Sequence, residues 1–135
     1  MNDPHTAPTD LPYERPRSVS AIVATIDRPD ALRICLEHLH NQTKTPDEII
    51  VVDASAGHDS RIVCDDFPGT VYLRNESGLG SLSESRQIGY EHATGDVIAY
   101  LDYDAYAEPQ WCSEILAGYD ADDVGAVCGR VLMPD

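Results

Sequence analysis

Val97-Ile98-Ala99-Tyr100-Leu101-Asp102-Tyr103-Asp104 is the stretch on which the reading of the whole chain turns. Its first five residues are a continuous apolar run, the pattern of a buried strand, and two carboxylates one residue apart close it. Alternate residues of an extended chain point the same way, so Asp102 and Asp104 are expected to aim together just past the strand end. Two carboxylates held that close repel, which raises the pKa of one unless a cation sits between them. A hard divalent ion, Mg²⁺ or Mn²⁺, relieves the repulsion and keeps positions open for phosphate oxygens. A pair of solvated loop aspartates has the same local pattern, so the surrounding sequence has to decide.

Length and charge narrow the choices. A chain of 135 residues supports one core and one domain. It carries 24 Asp plus Glu against 9 Lys plus Arg, a formal net charge of −15, and Lys44 is the only lysine. The acidic residues are scattered, so the surface repels nucleic acid and anionic membrane, and neither is expected as a direct partner. Heavy acidity with almost no lysine is expected of a halophile's cytoplasmic protein, where molar salt cuts the Debye length to ~3 Å. The cysteines, at 35, 64, 112 and 128, form no Cys-x-x-Cys pair and no zinc spacing with the histidines, so they read as reduced thiols. Residues 1–17 lack the apolar core of a signal peptide, and no run approaches the ~20 apolar residues of a membrane span. The expected location is cytoplasmic, with any contact at the inner face of the membrane made by regions outside this chain.

Outward from the opening stretch, strands and helices alternate. Residues 1–17, with prolines at 4, 8, 12 and 16, read as a flexible tail. Ser18–Ala24 is the first expected strand, and Pro29 suits the first position of a helix carrying Leu32, Cys35, Leu36 and Leu39 on one face. The polar run Asn41–Pro46 ends that helix. Glu48–Asp53, apolar on both faces, reads as a central parallel strand. A short helix near Asp59–Asp65, a strand over Thr70–Arg74, a glycine-bearing loop Asn75–Gly80 and a helix over Ser81–His92 follow. After the opening stretch come a helix from about Pro109 to Tyr119 and a last strand over Val124–Leu132. This order predicts an α/β fold with a mostly parallel sheet and helices on both faces. In such sheets ligands bind outside the carboxyl ends of the strands. Thr25, Arg28, Asp53, Asp102 and Asp104 all fall there, which points to a nucleotide-handling site.

The blocks "VSAIVATIDRPDALRICLEHLHNQT", "PDEIIVVDAS", "RNESGLGSLSESRQIGYEHATGDVIAYLDYDAYAEPQW" and "VGAVCGRVL" resemble, in order and spacing, the family 2 glycosyltransferases. The resemblance runs from about Val19 to Leu132 and implies the GT-A fold, a Rossmann-like nucleotide-binding domain, over residues 18–135. It implies transfer of a sugar from a nucleoside diphosphate donor to a glycan or lipid-linked acceptor, with Mg²⁺ or Mn²⁺ and with inversion. Thr25 and Arg28 match the first-strand loop that holds the nucleotide, and Asp53 matches an acidic residue on the base. Gly78 and Gly80 match a loop before the third helix, and Arg86 matches the arginine of an Ala-Arg-Asn block. Asp102 and Asp104 match the Asp-x-Asp motif, Asp102 serving nucleotide and metal and Asp104 the metal. Ala24 stands where proline is common, and Gln87 where asparagine is common. The family's acceptor region and general base lie further on than Asp135, so the fold is expected to be C-terminally incomplete. The chain alone is then expected to be inactive.

Other readings stay open at this point. Asp53 fits a helix cap or turn aspartate, and Arg86 could pair with a neighbouring acid such as Glu84. A non-catalytic nucleotide-sugar-binding or interaction module is compatible with the missing base. A receiver-type signalling domain is disfavoured, because Asp27 stands alone after the first strand and Lys44 is the only lysine.

Overall fold

A computed structural model describes residues 12–77 and 81–133. The expected tail over 1–17 is therefore described only from Pro12, and the expected loop residues Gly78 and Gly80 lie outside the described residues. The elements run β1 (Val19–Thr25), α1 (Pro29–His40), β2 (Glu48–Asp53), α2 (Asp59–Asp65), β3 (Val71–Arg74), α3 (Leu82–His92), β4 (Val97–Asp102) and α4 (Trp111–Gly118). The sheet is all parallel with strand order β3-β2-β1-β4.

That order fixes the layers. From β1 the chain steps outward to β2 and β3, then returns past β1 to place β4 on the other side. Right-handed crossovers in opposite directions put their helices on opposite faces of the sheet. Accordingly α1 and α2 pack on one face through Leu32, Leu36, Leu39, Val63 and Cys64, and α3 packs on the other through Ile88. α4 joins the α1 face, where Cys112 and Ile115 meet Val19, Val97 and Ala99. β1 is buried along its whole length, as the central strand of a sheet covered on both faces must be. The α3 layer depends on one glycine: a Cβ on Gly89 would lie 2.6 Å from Ile22 Cγ2, so the helix rests directly on β1.

Two expectations need correction. β4 is not fully buried; Tyr100 is 46% exposed, because β4 is the edge strand and α3 covers only part of its outer face. The expected last strand, Val124–Leu132, is absent: those residues form no helix or strand, and Val131 is 82% exposed. A strand needs a ladder partner, and this run has none among the described residues. Its glycines at 125 and 129 also supply no side chain to pack. Val127 lies against the end of α4, where a Cβ on Gly118 would sit 2.8 Å from Val127 Cγ2.

Residues 12–17 carry no helix or strand but touch the body at both ends. The Tyr13 hydroxyl donates to the Tyr119 carbonyl at 3.0 Å, and the Arg17 amide donates to Asp96 Oδ2 at 2.8 Å. The Ser18 amide donates to the same oxygen, and these backbone donors hold the Asp96 carboxyl below its ordinary range.

Candidate functional site

The register brings the chemistry-bearing residues to one edge. Ala24 pairs with Asp102, Thr25 with Asp53, and Asp53 with Arg74. Strand order reverses between β1 and β4, so the crevice above their carboxyl ends is the switch point where ligands bind in open α/β sheets. Two strands end on aspartates at this edge, and their neighbours make them different.

Asp53 is closed. It has no exposed surface, and its Oδ1 accepts from the Ser55 amide at 2.9 Å, two residues on, as in an Asx turn. Its Oδ2 accepts from the Tyr72 hydroxyl at 2.6 Å and from Arg74 at 3.3 Å. Arg74 also donates to the Ser55 and Gly57 carbonyls at 2.7 and 2.8 Å, so it ties β3 to the loop after β2. Burial raises the Tyr72 phenol above its usual range and the Asp53 carboxylate adds to this, while Arg74 opposes it. A buried carboxylate is tolerable only with such a set of donors. The Ser55 contact has the geometry of the turn-aspartate reading.

Asp102 and Asp104 are open. Asp102 has 63% of its side chain exposed, and Oδ1 lies 3.3 Å from the Arg86 guanidinium, which reaches across from α3. Arg86 also lies over the Tyr100 ring at 5.5 Å, a cation–π contact that holds it at the strand end. β4 stops at Asp102, and the Ala105 amide turns back onto the Asp102 carbonyl at 2.9 Å. Asp104 thus stands in a turn and not on a continued strand, so the strict alternation expected from the sequence ends at Asp102. Both carboxylates still act on one spot beneath them: burial first, then Asp104 and Asp102, push the Cys35 thiol up to about 12.

Between these corners lies a cavity of about 160 Å³, lined by Thr25, Ile26, Ala54, Leu82, Ser85 and Tyr103 among others. Thr25 is 3% exposed, and its Oγ1 has no hydrogen-bond partner among the described residues. A buried hydroxyl without a partner costs free energy unless something else in the cavity accepts or donates. Ser60 Oγ is likewise unpartnered but lies on α2, away from this cavity. Arg28 is exposed at the start of α1, after Asp27, whose φ of +50° turns the loop sharply and whose amide donates to Ser55 Oγ at 2.7 Å. A wider opening of about 310 Å³ beside Arg15 and Arg17 sits at the opposite end of the sheet, remote from all of these groups.

The structure therefore gathers Thr25, Arg86, Asp102 and Asp104, leaves Arg28 exposed at the margin, and turns Asp53 inward. The sequence reading passed over Ala54, Ser81 and Ser85. Ser81 and Glu84 have the spacing of a capping box, and Ser81 Oγ accepts from the Glu84 amide at 3.2 Å. That signal could have placed the first turn of α3 at the cavity. Among the described residues no three His, Cys, Asp or Glu side chains converge as a ready-made metal cage. Two exposed carboxylates do fit Mg²⁺ or Mn²⁺, which keep several positions for water and phosphate oxygens and take one or two protein carboxylates.

The family model described as Glycosyl transferase family 2 matches residues 20–135. The chain belongs to glycosyltransferase family 2. A putative glycosyltransferase EpsH of Bacillus subtilis is 33% identical over 112 residues, covering 78% of this chain and 32% of the relative. A glucosyl-dolichyl phosphate glucuronosyltransferase of Haloferax volcanii is 34% identical over 122 residues, covering 87% of this chain and 39% of the relative. This family 2 chain thus spans about a third of the length of the curated relatives it matches. The mannosyltransferase PcManGT of Pyrobaculum calidifontis, solved with GDP-Man and Mn²⁺, superposes with a TM-score of 0.66 at 23% identity, over 82% of this chain and 34% of that one. The likeness shows the fold: the four-stranded parallel sheet with helices on both faces is Rossmann-like GT-A. No helix of the described residues is long and apolar enough to cross a membrane.

Proposed function

We propose that this chain is the donor-binding part of a glycosyltransferase that moves a sugar from a nucleoside diphosphate to a glycan or lipid-linked acceptor, with a divalent metal and with inversion. The observation that carries the reading is the unpartnered Thr25 hydroxyl in a cavity beside an open carboxylate pair. The metal-bound, nucleotide-sugar-bound mannosyltransferase of the same fold supports the donor class. The Haloferax relative, named for a dolichyl phosphate substrate, supports the lipid-linked acceptor.

In this reading Thr25 bonds the nucleoside within the cavity and Arg28 faces the phosphates from the margin. Asp102 and Asp104 hold Mg²⁺ or Mn²⁺. When bound, such an ion neutralises charge building on the departing diphosphate. Arg86 leaves or shares its contact with Asp102 to face the same negative charge. Asp53 supports the loop from behind through Ser55 and Arg74. Inverting transfer also requires a base on the acceptor hydroxyl. Asp53 is buried and Asp102 is paired, so neither is free for it. The reading expects donor binding by this chain without useful transfer, as a nucleotide-sugar-binding module.

The test is a calorimetric screen of UDP, GDP and dTDP sugars with Mn²⁺, run beside transfer of radiolabelled donor to glycan and lipid acceptors. One donor should bind, and Thr25→Val should weaken it by about 1 kcal/mol, the usual net worth of one hydrogen bond. Absence of binding by every nucleotide sugar overturns the proposal. Efficient transfer by this chain alone overturns its account of the base.

A further inference from the structure

The ladder that positions Asp102 ends at Asp102, so the place of Asp104 depends on what holds the loop beyond it. The far end of that loop, Ala107–Pro109, is held from the segment after α1, and Tyr106 is held from α1 itself. Gln42 lies in the polar run that reads as a mere helix stop, yet it is buried. Its amide nitrogen donates to the Glu108 carbonyl at 2.6 Å, the His38 carbonyl at 3.1 Å and, more weakly, the Ala107 carbonyl at 3.4 Å. Its amide oxygen accepts from the Cys112 amide at 3.0 Å, one of the donors the first turn of α4 leaves without an intrahelical partner. Thr43 adds two bonds to the Pro109 carbonyl, from its amide at 2.9 Å and its hydroxyl at 3.1 Å. His38 stacks on Tyr106 with ring centroids 5.3 Å apart.

One side chain thus joins the last turn of α1, the loop behind Asp104 and the start of α4. Only an amide of this length fits all these partners. A carboxylate would face three carbonyl oxygens with no proton to give, and an apolar isostere would leave a buried N–H and several carbonyls unpaired. We propose that Gln42 is the positioning residue of the Asp102–Asp104 site, fixing the loop that sets where Asp104 stands and hence how well a divalent ion is held there. This rests on the donor-binding reading above. A purely structural role for Gln42 would lower stability and leave the metal dependence of ligand binding alone.

The experiment compares wild type with Gln42→Met and Gln42→Glu. Affinity for UDP and GDP is measured in EDTA and in Mn²⁺, beside thermal melting and amide hydrogen exchange over Tyr103–Cys112. The Mn²⁺ enhancement of nucleotide binding should fall about tenfold in both variants, the lower end of the ~10–100-fold typical of outer-shell changes around metal ligands. Affinity in EDTA should stay within about twofold, since a ligand-independent loss would mean general damage. Exchange of the Ala105 and Cys112 amides should quicken even without ligand. Gln42→Glu, which keeps the length and the acceptor, should not rescue. If either variant fails to fold, Thr43→Val at the exposed neighbour should lower the enhancement about threefold through the same loop, scaling with one lost bond. An unchanged enhancement with a lowered melting temperature overturns the inference while leaving the donor-binding reading intact. No enhancement in wild type overturns the metal part of that reading, and the inference falls with it.

Discussion

The corner at β2–β3 and the corner at β4–α3 each end a parallel strand on an aspartate, and they put it to opposite uses. Asp53 meets Tyr72, Arg74 and the Ser55 amide, and is sealed from solvent. Asp102 meets one half-exposed arginine and water, with Asp104 in the turn beyond it. The residue type and the strand-end position are shared, so neither decides the role; the neighbouring strand does. β3 covers the outer side of β2 and delivers a phenol and a guanidinium, whereas β4 has no strand on its outer side among the described residues. In the proposed reading the closed corner holds the fold and the open corner takes the ligand.

The largest effect that would break this contrast belongs to Asp53. Asp53→Ala leaves the Tyr72 hydroxyl, the Ser55 amide and part of Arg74 without their acceptor, and should cost about 3–5 kcal/mol of stability in urea unfolding. Nucleotide affinity per folded molecule should not change. A stable variant with weakened nucleotide binding would return Asp53 to the base-contact role.

Each corner also has a buried cysteine beneath it, Cys64 under Asp53 and Cys35 under Asp102 and Asp104. Burial first, and then these carboxylates, push both thiols up to about 12 from 9.0. A raised thiol pKa favours the neutral form, so this contribution to stability is intact below pH 9 and is lost as pH rises toward 12. A thiol reagent at pH 8 should label Cys128, the exposed cysteine, and reach Cys35, Cys64 and Cys112 only in denaturant. Labelling of Cys35 in the folded protein would mean that the open corner is not underpinned as described.

The smallest effect is the Arg86–Asp102 pair. Both partners are more than a third exposed, so a double-mutant cycle should return no more than about 1 kcal/mol, falling further in molar KCl. The Asp53–Arg74 coupling should move less with salt, because Asp53 is buried and Arg74 only partly exposed. With a net charge of −15, the melting temperature of the whole protein should nevertheless rise with KCl, as the halophilic expectation requires. Equal salt sensitivity of the two pairs would erase the distinction between the corners.

Most of the fold was legible because it is written locally. The 3.6-residue stripe of α1 and the β-rich runs of β1 and β2 place those elements within a residue of where they stand. Three features were not legible, for one physical reason. The orientation of Asp53 depends on Tyr72 and Arg74, a strand away in sequence. The burial of Gln42 depends on a loop some 65 residues later. Val124–Leu132 has strand-like composition but no ladder partner, and pairing is a property of two segments that no single segment encodes. At the site, the Asp102–Asp104 spacing and the alignment of Thr25 with them could be read directly. Which aspartate stays exposed and which is sealed could not.

The most direct test is the affinity of a nucleoside diphosphate in EDTA and in Mn²⁺, for wild type and for Asp104→Ala. The account predicts that Mn²⁺ strengthens binding to wild type and that Asp104→Ala removes the enhancement. The exposed substitution should cost no more than about 0.5 kcal/mol of stability. Equal affinity of wild type in EDTA and in Mn²⁺, or an Asp104→Ala variant that keeps the full enhancement, would contradict it.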